Sequence, residues 1–174
     1  MKRTHVFFTL AVIGIGLNFL FSCAGSPSFA RQDALFERLE QKDLTIVMTD
    51  SGLGGLSVMA DIVQKLQKLN AYKSVQLVFV NALFSTEGGY NSLRTPEEKH
   101  RILDSALRRM EELYHPDLVL IACNTLSILY PGTDFAQSAS IPVMGIVDTG
   151  VEMMAEQLKP DPEARIILFG TQTT

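Results

Sequence analysis

Cysteine is scarce in this chain of 174 residues, and what little there is sits far apart: Cys23 and Cys123 are its two cysteines. No second Cys or His lies at ligand spacing near either one, which argues against a zinc site and against a disulfide framework. The three histidines, His5, His100 and His115, fall in no metal-binding pattern, so no metal site is expected. An excess of positive charge is also missing. Fifteen basic residues stand against nineteen acidic ones, a formal charge of −4, and a nucleic-acid partner is not expected from that balance. No internal repeat or low-complexity tract occurs. The composition, 47% hydrophobic and 20% charged, suits one globular domain and leaves little room for two.

The amino terminus reads as an export signal. Met1-Lys2-Arg3 precedes a largely apolar stretch from Val6 to Phe21, broken by Thr9, Gly14, Gly16 and Asn18. It is too short and too interrupted for a comfortable spanning helix. Leu20-Phe21-Ser22-Cys23 resembles the lipobox of bacterial lipoproteins, which implies lipidation at Cys23 and a membrane anchor in the cell envelope. Cleavage after Ser28-Phe29-Ala30 is the alternative and would release a periplasmic or secreted protein. The expected organisation is a signal peptide over 1–22, a tether and short helix over 23–43, and an α/β domain over 44–174. In either case Cys123 is the thiol left to the exported domain.

Beyond the leader, and after a short amphipathic run from Asp33 to Gln41, compact apolar runs alternate with longer segments of helical spacing. Strands are expected at Leu44 to Met48, Val75 to Val80, Leu118 to Ala122, Val143 to Val147 and Ile166 to Phe169. Short runs rich in Val, Ile and Leu suit strands buried on both faces, hence an open parallel sheet with helices on both faces. Leu56, Met59, Ile62, Val63, Leu66 and Leu69 form a helical stripe facing that sheet. Thr95-Pro96-Glu97-Glu98 opens a helix with a capping box and ends near Tyr114, closed by His115-Pro116. A third helix is expected from Asp148 to Leu158, before Pro160 and Pro162.

In such a sheet the ligand crevice lies beyond the carboxyl ends of the strands. The first strand runs into Thr49-Asp50-Ser51-Gly52-Leu53-Gly54-Gly55, a carboxylate and a hydroxyl followed by glycines that let backbone N–H groups turn towards an anion. With no Lys after the glycines it is not a P-loop. It also fails as a dinucleotide fingerprint, since the third Gly is missing and the second strand ends in Asn81 rather than an acid. The third strand ends in Ala122-Cys123-Asn124-Thr125. A Cys there is either a small core residue or a nucleophile whose pKa a helix N-terminus could lower. The fifth run ends in Gly170-Thr171-Gln172-Thr173-Thr174, and a domain stopping within one turn of a strand reads as interrupted.

These strand ends, together with Ile141-Pro142-Val143-Met144-Gly145-Ile146-Val147, resemble in order and spacing the glutamate racemases and the wider aspartate/glutamate racemase superfamily. The resemblance covers about Leu44 to Thr174, the amino-terminal half of that family. It implies cofactor-independent interconversion of L- and D-glutamate, or a related acidic amino acid, for peptidoglycan synthesis, without pyridoxal phosphate. It also implies Cys123 as the base on one face, activated by Asp50. Ser51, Asn124, Thr125, Thr171 and Thr174 would hold the α-carboxylate and α-amino group. The family's Pro-Tyr-Gly segment corresponds to Gly89-Tyr90-Asn91, which makes Tyr90 and Asn91 further candidates for substrate contact.

Two departures stand out. The acid ending the second strand is replaced by Asn81, and the second cysteine, expected in a Gly-Cys-Thr-His segment of the other half, is absent. The family's tendency to dimerise makes a homodimer an expectation. The alternative function is an exported, non-catalytic lipoprotein that binds an amino acid or a peptidoglycan fragment, having lost the second half-site. A Cys-dependent hydrolase would need a His at the crevice, and neither His100 nor His115 is placed there by the sequence.

Overall fold

The computed structural model describes residues 43–69, 72–83, 88–160, 163, 165–167, 169 and 170. The expected signal peptide, the lipidation site Cys23, the Asp33–Gln41 helix and the hydroxyls of Thr171 and Thr174 lie outside the described residues. Four strands, β1 (Asp43–Asp50), β2 (Ser74–Asn81), β3 (Leu118–Ile121) and β4 (Val143–Gly145), form one sheet in the order β2-β1-β3-β4. All three pairings are parallel. The helices are α1 (Gly55–Leu69), α2 (Pro96–Tyr114), α3 (Asn124–Leu129), α4 (Asp134–Ser138) and α5 (Ile146–Leu158).

The period-two alternation of the central strands divides the core into two faces. Val47, Val119 and Ile121 point to one face, where they meet Leu103, Leu107 and Met110 of α2, Leu126 and Leu129 of α3, and Phe135 of α4. Ile46 and Leu118 point to the other, with Leu77, Leu120 and Met144 packed alongside. On that side Val58 and Ile62 of α1 and Met153 of α5 line an apolar cavity of about 340 Å³ above Met48 and Leu120. Helices therefore cover both faces, unequally.

Local chemistry accounts for the well-formed elements. Thr95 caps α2 by accepting from the Glu98 N–H at 3.1 Å, while the Glu98 carboxylate accepts from the Arg94 N–H at 3.1 Å. Pro96 occupies the first turn, where its missing N–H costs nothing. His115 ends the helix in the left-handed region at φ 44°, and its N–H donates to Glu111. Asp104 joins α2 to α4: its carboxylate accepts from the Phe135 N–H at 2.6 Å and pairs with Arg108, whose guanidinium stands 5.9 Å from the Phe135 ring centroid.

Three expectations need correction. The run Val143–Val147 is not one strand: β4 stops at Gly145 and α5 begins at Ile146, two residues before the expected start at Asp148. The Ser127 hydroxyl accepts the Ile146 N–H at 3.1 Å, which diverts that donor from the ladder. The described residues of the Ile166–Phe169 run form no strand, and Ile167 and Phe169 are 79% and 94% exposed. An apolar run becomes a strand only where a sheet edge and a covering layer receive it, and among the described residues neither holds Ile167 or Phe169. The α1 stripe is also only partly realised, since Met59, Ile62, Val63 and Leu66 are half-buried while Leu56 is exposed.

Candidate active site

Strand order explains where the site lies. The connection from β1 leads through α1 to β2 on one side, and β3 enters on the other, so the loops leaving β1 and β3 part at their carboxyl ends. A crevice opens at such a reversal. Here it is a cleft of about 530 Å³ lined by Asp50, Ala122, Cys123, Asn124, Thr125, Ile146, Phe169 and Gly170.

The β1 loop is folded around one carboxylate. Asp50 is buried, and its two oxygens accept from the Gly52 N–H at 3.2 Å and from the Gly55 N–H. The second bond places the carboxylate at the start of α1, where the helix dipole favours a negative charge. Gly55 is required by closeness. A Cβ there would stand 3.0 Å from the Ala122 Cβ, 3.1 Å from the Phe79 ring and 3.2 Å from the Asp50 Cβ. Asn81 steadies the same loop, its side-chain amide donating to the Gly52 carbonyl at 3.1 Å while its carbonyl accepts from the Leu83 N–H at 2.9 Å.

This folding brings Ser51 across to β3. Its hydroxyl lies 3.2 Å from the Cys123 sulfur, a contact between residues 72 positions apart. Cys123 is half-buried, the residue immediately before α3. Asn124 is exposed at the mouth and Thr125 is buried in the wall.

Of the expected site residues, the structure thus brings Asp50, Ser51, Cys123, Asn124 and Thr125 together. Tyr90 stands apart from the cleft lining. It is 2% exposed and belongs to the core on the far side of Cys123, with its hydroxyl donating weakly to the Ala82 carbonyl at 3.4 Å. Burial pushes its phenol well above the ordinary range, and negative charge at Cys123 adds to the rise. Asn91 is exposed on the same 3-10 turn. That turn abuts the β1 loop at Gly89, whose Cβ would lie 4.0 Å from the Ser51 carbonyl.

Two cleft residues, Ile146 and Phe169, carry no chemical signal in the sequence, because an apolar side chain at a strand end reads as core. Asn81, read as a lost acid, proves to be a hydrogen-bonding post for the loop.

This site belongs to a chain with measurable relatives. It is 37% identical over 122 residues to glutamate racemase of Vibrio cholerae, across 70% of this chain and 37% of that protein. To the glutamate racemase of Chlorobaculum tepidum it is 28% identical over 132 residues, across 76% and 44%. To that of Aquifex pyrophilus it is 29% identical over 133 residues, across 75% and 46%. The chain is similar to glutamate racemases. It spans less than half the length of these curated relatives, consistent with an amino-terminal half of the racemase. No protein-family model matches it, and no solved structure does. The racemase-like stretch places its one described thiol at the crevice of an α/β sheet, beside a hydroxyl from the neighbouring strand.

Proposed function

We propose that this chain carries one half of a glutamate-racemase-like site, in which Cys123 removes and returns the α-proton of an acidic amino acid without a cofactor. The observation that carries the reading is the Ser51–Cys123 contact at the divergence of β1 and β3, in a chain similar to glutamate racemases. An α-proton is weakly acidic, so its removal calls for a base held against it and for donors that neutralise the carboxylate as charge develops. In the proposed step the Cys123 thiolate takes the proton from the α-carbon, becoming a thiol, and the electron pair delocalises into the carboxylate. Ser51, Asn124 and Thr125 hold that carboxylate and the amino group, with Thr171 and Thr174 assigned to the same task by the family resemblance. Asp50 supports the base by keeping the loop folded so that Ser51 reaches the sulfur.

Cys123 serves one face of the substrate. Inversion needs an acid on the opposite face, whereas exchange with solvent needs only the one thiol. Incubation with L- and D-glutamate and aspartate in deuterated water, followed by NMR of the α-proton, is therefore the test. Loss of signal is expected, with Cys123→Ser slowing it by at least about a hundredfold, as for removal of a general base.

The cleft, in which Asn124 and Thr125 stand beside Cys123, also suits a second reading, a binding protein for an acidic amino acid or peptidoglycan fragment. Calorimetry would show glutamate bound equally by Cys123→Ser, with no exchange in either protein. In both readings the leader takes the domain to the cell envelope and Cys23 carries the lipid. Labelling of the expressed chain with a radioactive fatty acid, lost in Cys23→Ala, tests that assignment.

A further inference from the structure

We infer that Ser127, which lies outside the cleft lining, is a positioning residue that clasps the Cys123 turn to the β4–α5 junction and so fixes the direction of the thiol. For its catalytic consequence the inference rests on the racemase-like reading above. The Ser127 hydroxyl donates to the Cys123 carbonyl at 2.7 Å and accepts from the Ile146 N–H at 3.1 Å. The Ser127 N–H donates to the same Cys123 carbonyl at 2.9 Å, so one residue closes the turn twice. A serine bonding back four residues in a helix ordinarily competes with the helix and gains little. Here the second bond, from Ile146, makes the hydroxyl a bridge between two strand ends.

The fit is close enough to demand a particular neighbour. A Cβ on Gly145 would stand 2.7 Å from the Ser127 oxygen and 2.8 Å from its Cβ. A larger residue at 145 would push Ser127 away from Ile146. Ile146 lines the same cleft as Cys123, so the clasp sets two things together: the orientation of the turn bearing the sulfur and the position of the Ile146 wall. Neither could be held by α3 alone, a helix of six residues. Displacing a reacting group by an ångström can cost a hundredfold in rate, which is the leverage such a residue has.

The test uses the full chain and approaches the contact from both sides, with Ser127→Ala and Gly145→Ala. The first readout needs no racemase activity: the rate of iodoacetamide alkylation at Cys123, followed on the peptide containing it by mass spectrometry. Both variants should alkylate at least about threefold faster, because loosening the turn exposes a half-buried sulfur. The second readout is α-proton exchange, in which kcat should fall about tenfold or more with KM moving less than about twofold, the pattern of a lost transition-state geometry. Circular dichroism melting separates these effects from unfolding, and Ser127→Ala decides the matter should Gly145→Ala fail to fold. Alkylation unchanged in folded Ser127→Ala would overturn the clasp. Wild-type protein without exchange would overturn the racemase reading instead, leaving the clasp to be judged by alkylation alone.

Discussion

The two faces of the sheet are built to different standards. On the side of α2, α3 and α4, Leu103, Leu107 and Phe135 are completely buried, and capping bonds and the Asp104 pair lock the helices in place. On the side of α1 and α5, Val58 and Met153 stay exposed, no side chain of α5 is buried, and an apolar cavity remains between the helices. The difference teaches that the site draws on both faces. The dense face anchors the strands and carries α3, which starts at Asn124 in the cleft, whereas the thin face holds α1, which follows the Asp50 loop, and α5, which starts at Ile146. The cleft itself is steadied by polar contacts at strand ends, those of Asp50, Asn81 and Ser127, more than by apolar burial.

Substitutions can sharpen or break that contrast. Phe135→Ala on the dense face should cost about 3–5 kcal/mol in urea unfolding, the usual loss for a fully buried aromatic. Gly55→Ala stands where the thin-face helix meets the site, and its new methyl would press on Ala122, Phe79 and Asp50. Overpacking there should cost about 1–3 kcal/mol, and calorimetric glutamate affinity should fall as the Asp50 loop moves. Met153→Ser on the thin face should change stability by no more than about 0.5 kcal/mol, as surface positions do. A loss there as large as that for Phe135→Ala would mean that the thin face is covered in solution, and the contrast between the faces would be gone.

How much of this could be read without coordinates depends on the range of the interaction involved. The α2 helix could be read almost to the residue, because Thr95, Pro96 and Glu98 act within one turn and His115 precedes a proline. The first three strands were legible for a similar reason, being apolar runs between helical patterns. The end of β4 was not, since Val143–Val147 is uniformly apolar and its break is made by a hydroxyl nineteen residues away. The Ile166–Phe169 run shows the same limit, for its side chains find no covering layer among the described residues. Asp50, Ser51 and Cys123 could be picked out as strand-end residues, yet Tyr90, chosen by the same likeness, sits in the core beside the sulfur.

The sequence by itself determined the α/β alternation, the capped helix and the chemical residues gathered at strand ends, because each follows from local spacing or from side-chain type. Only the tertiary structure decided that Ser51 meets Cys123, that Asp50 spends its oxygens on its own loop, and that Ser127 ties the turn to Ile146. The Ser51–Cys123 and Ser127–Ile146 contacts depend on the sheet order β2-β1-β3-β4, which sets distant segments side by side at hydrogen-bonding distance, whereas the Asp50 bonds close within five residues but only in the turn the folded loop adopts.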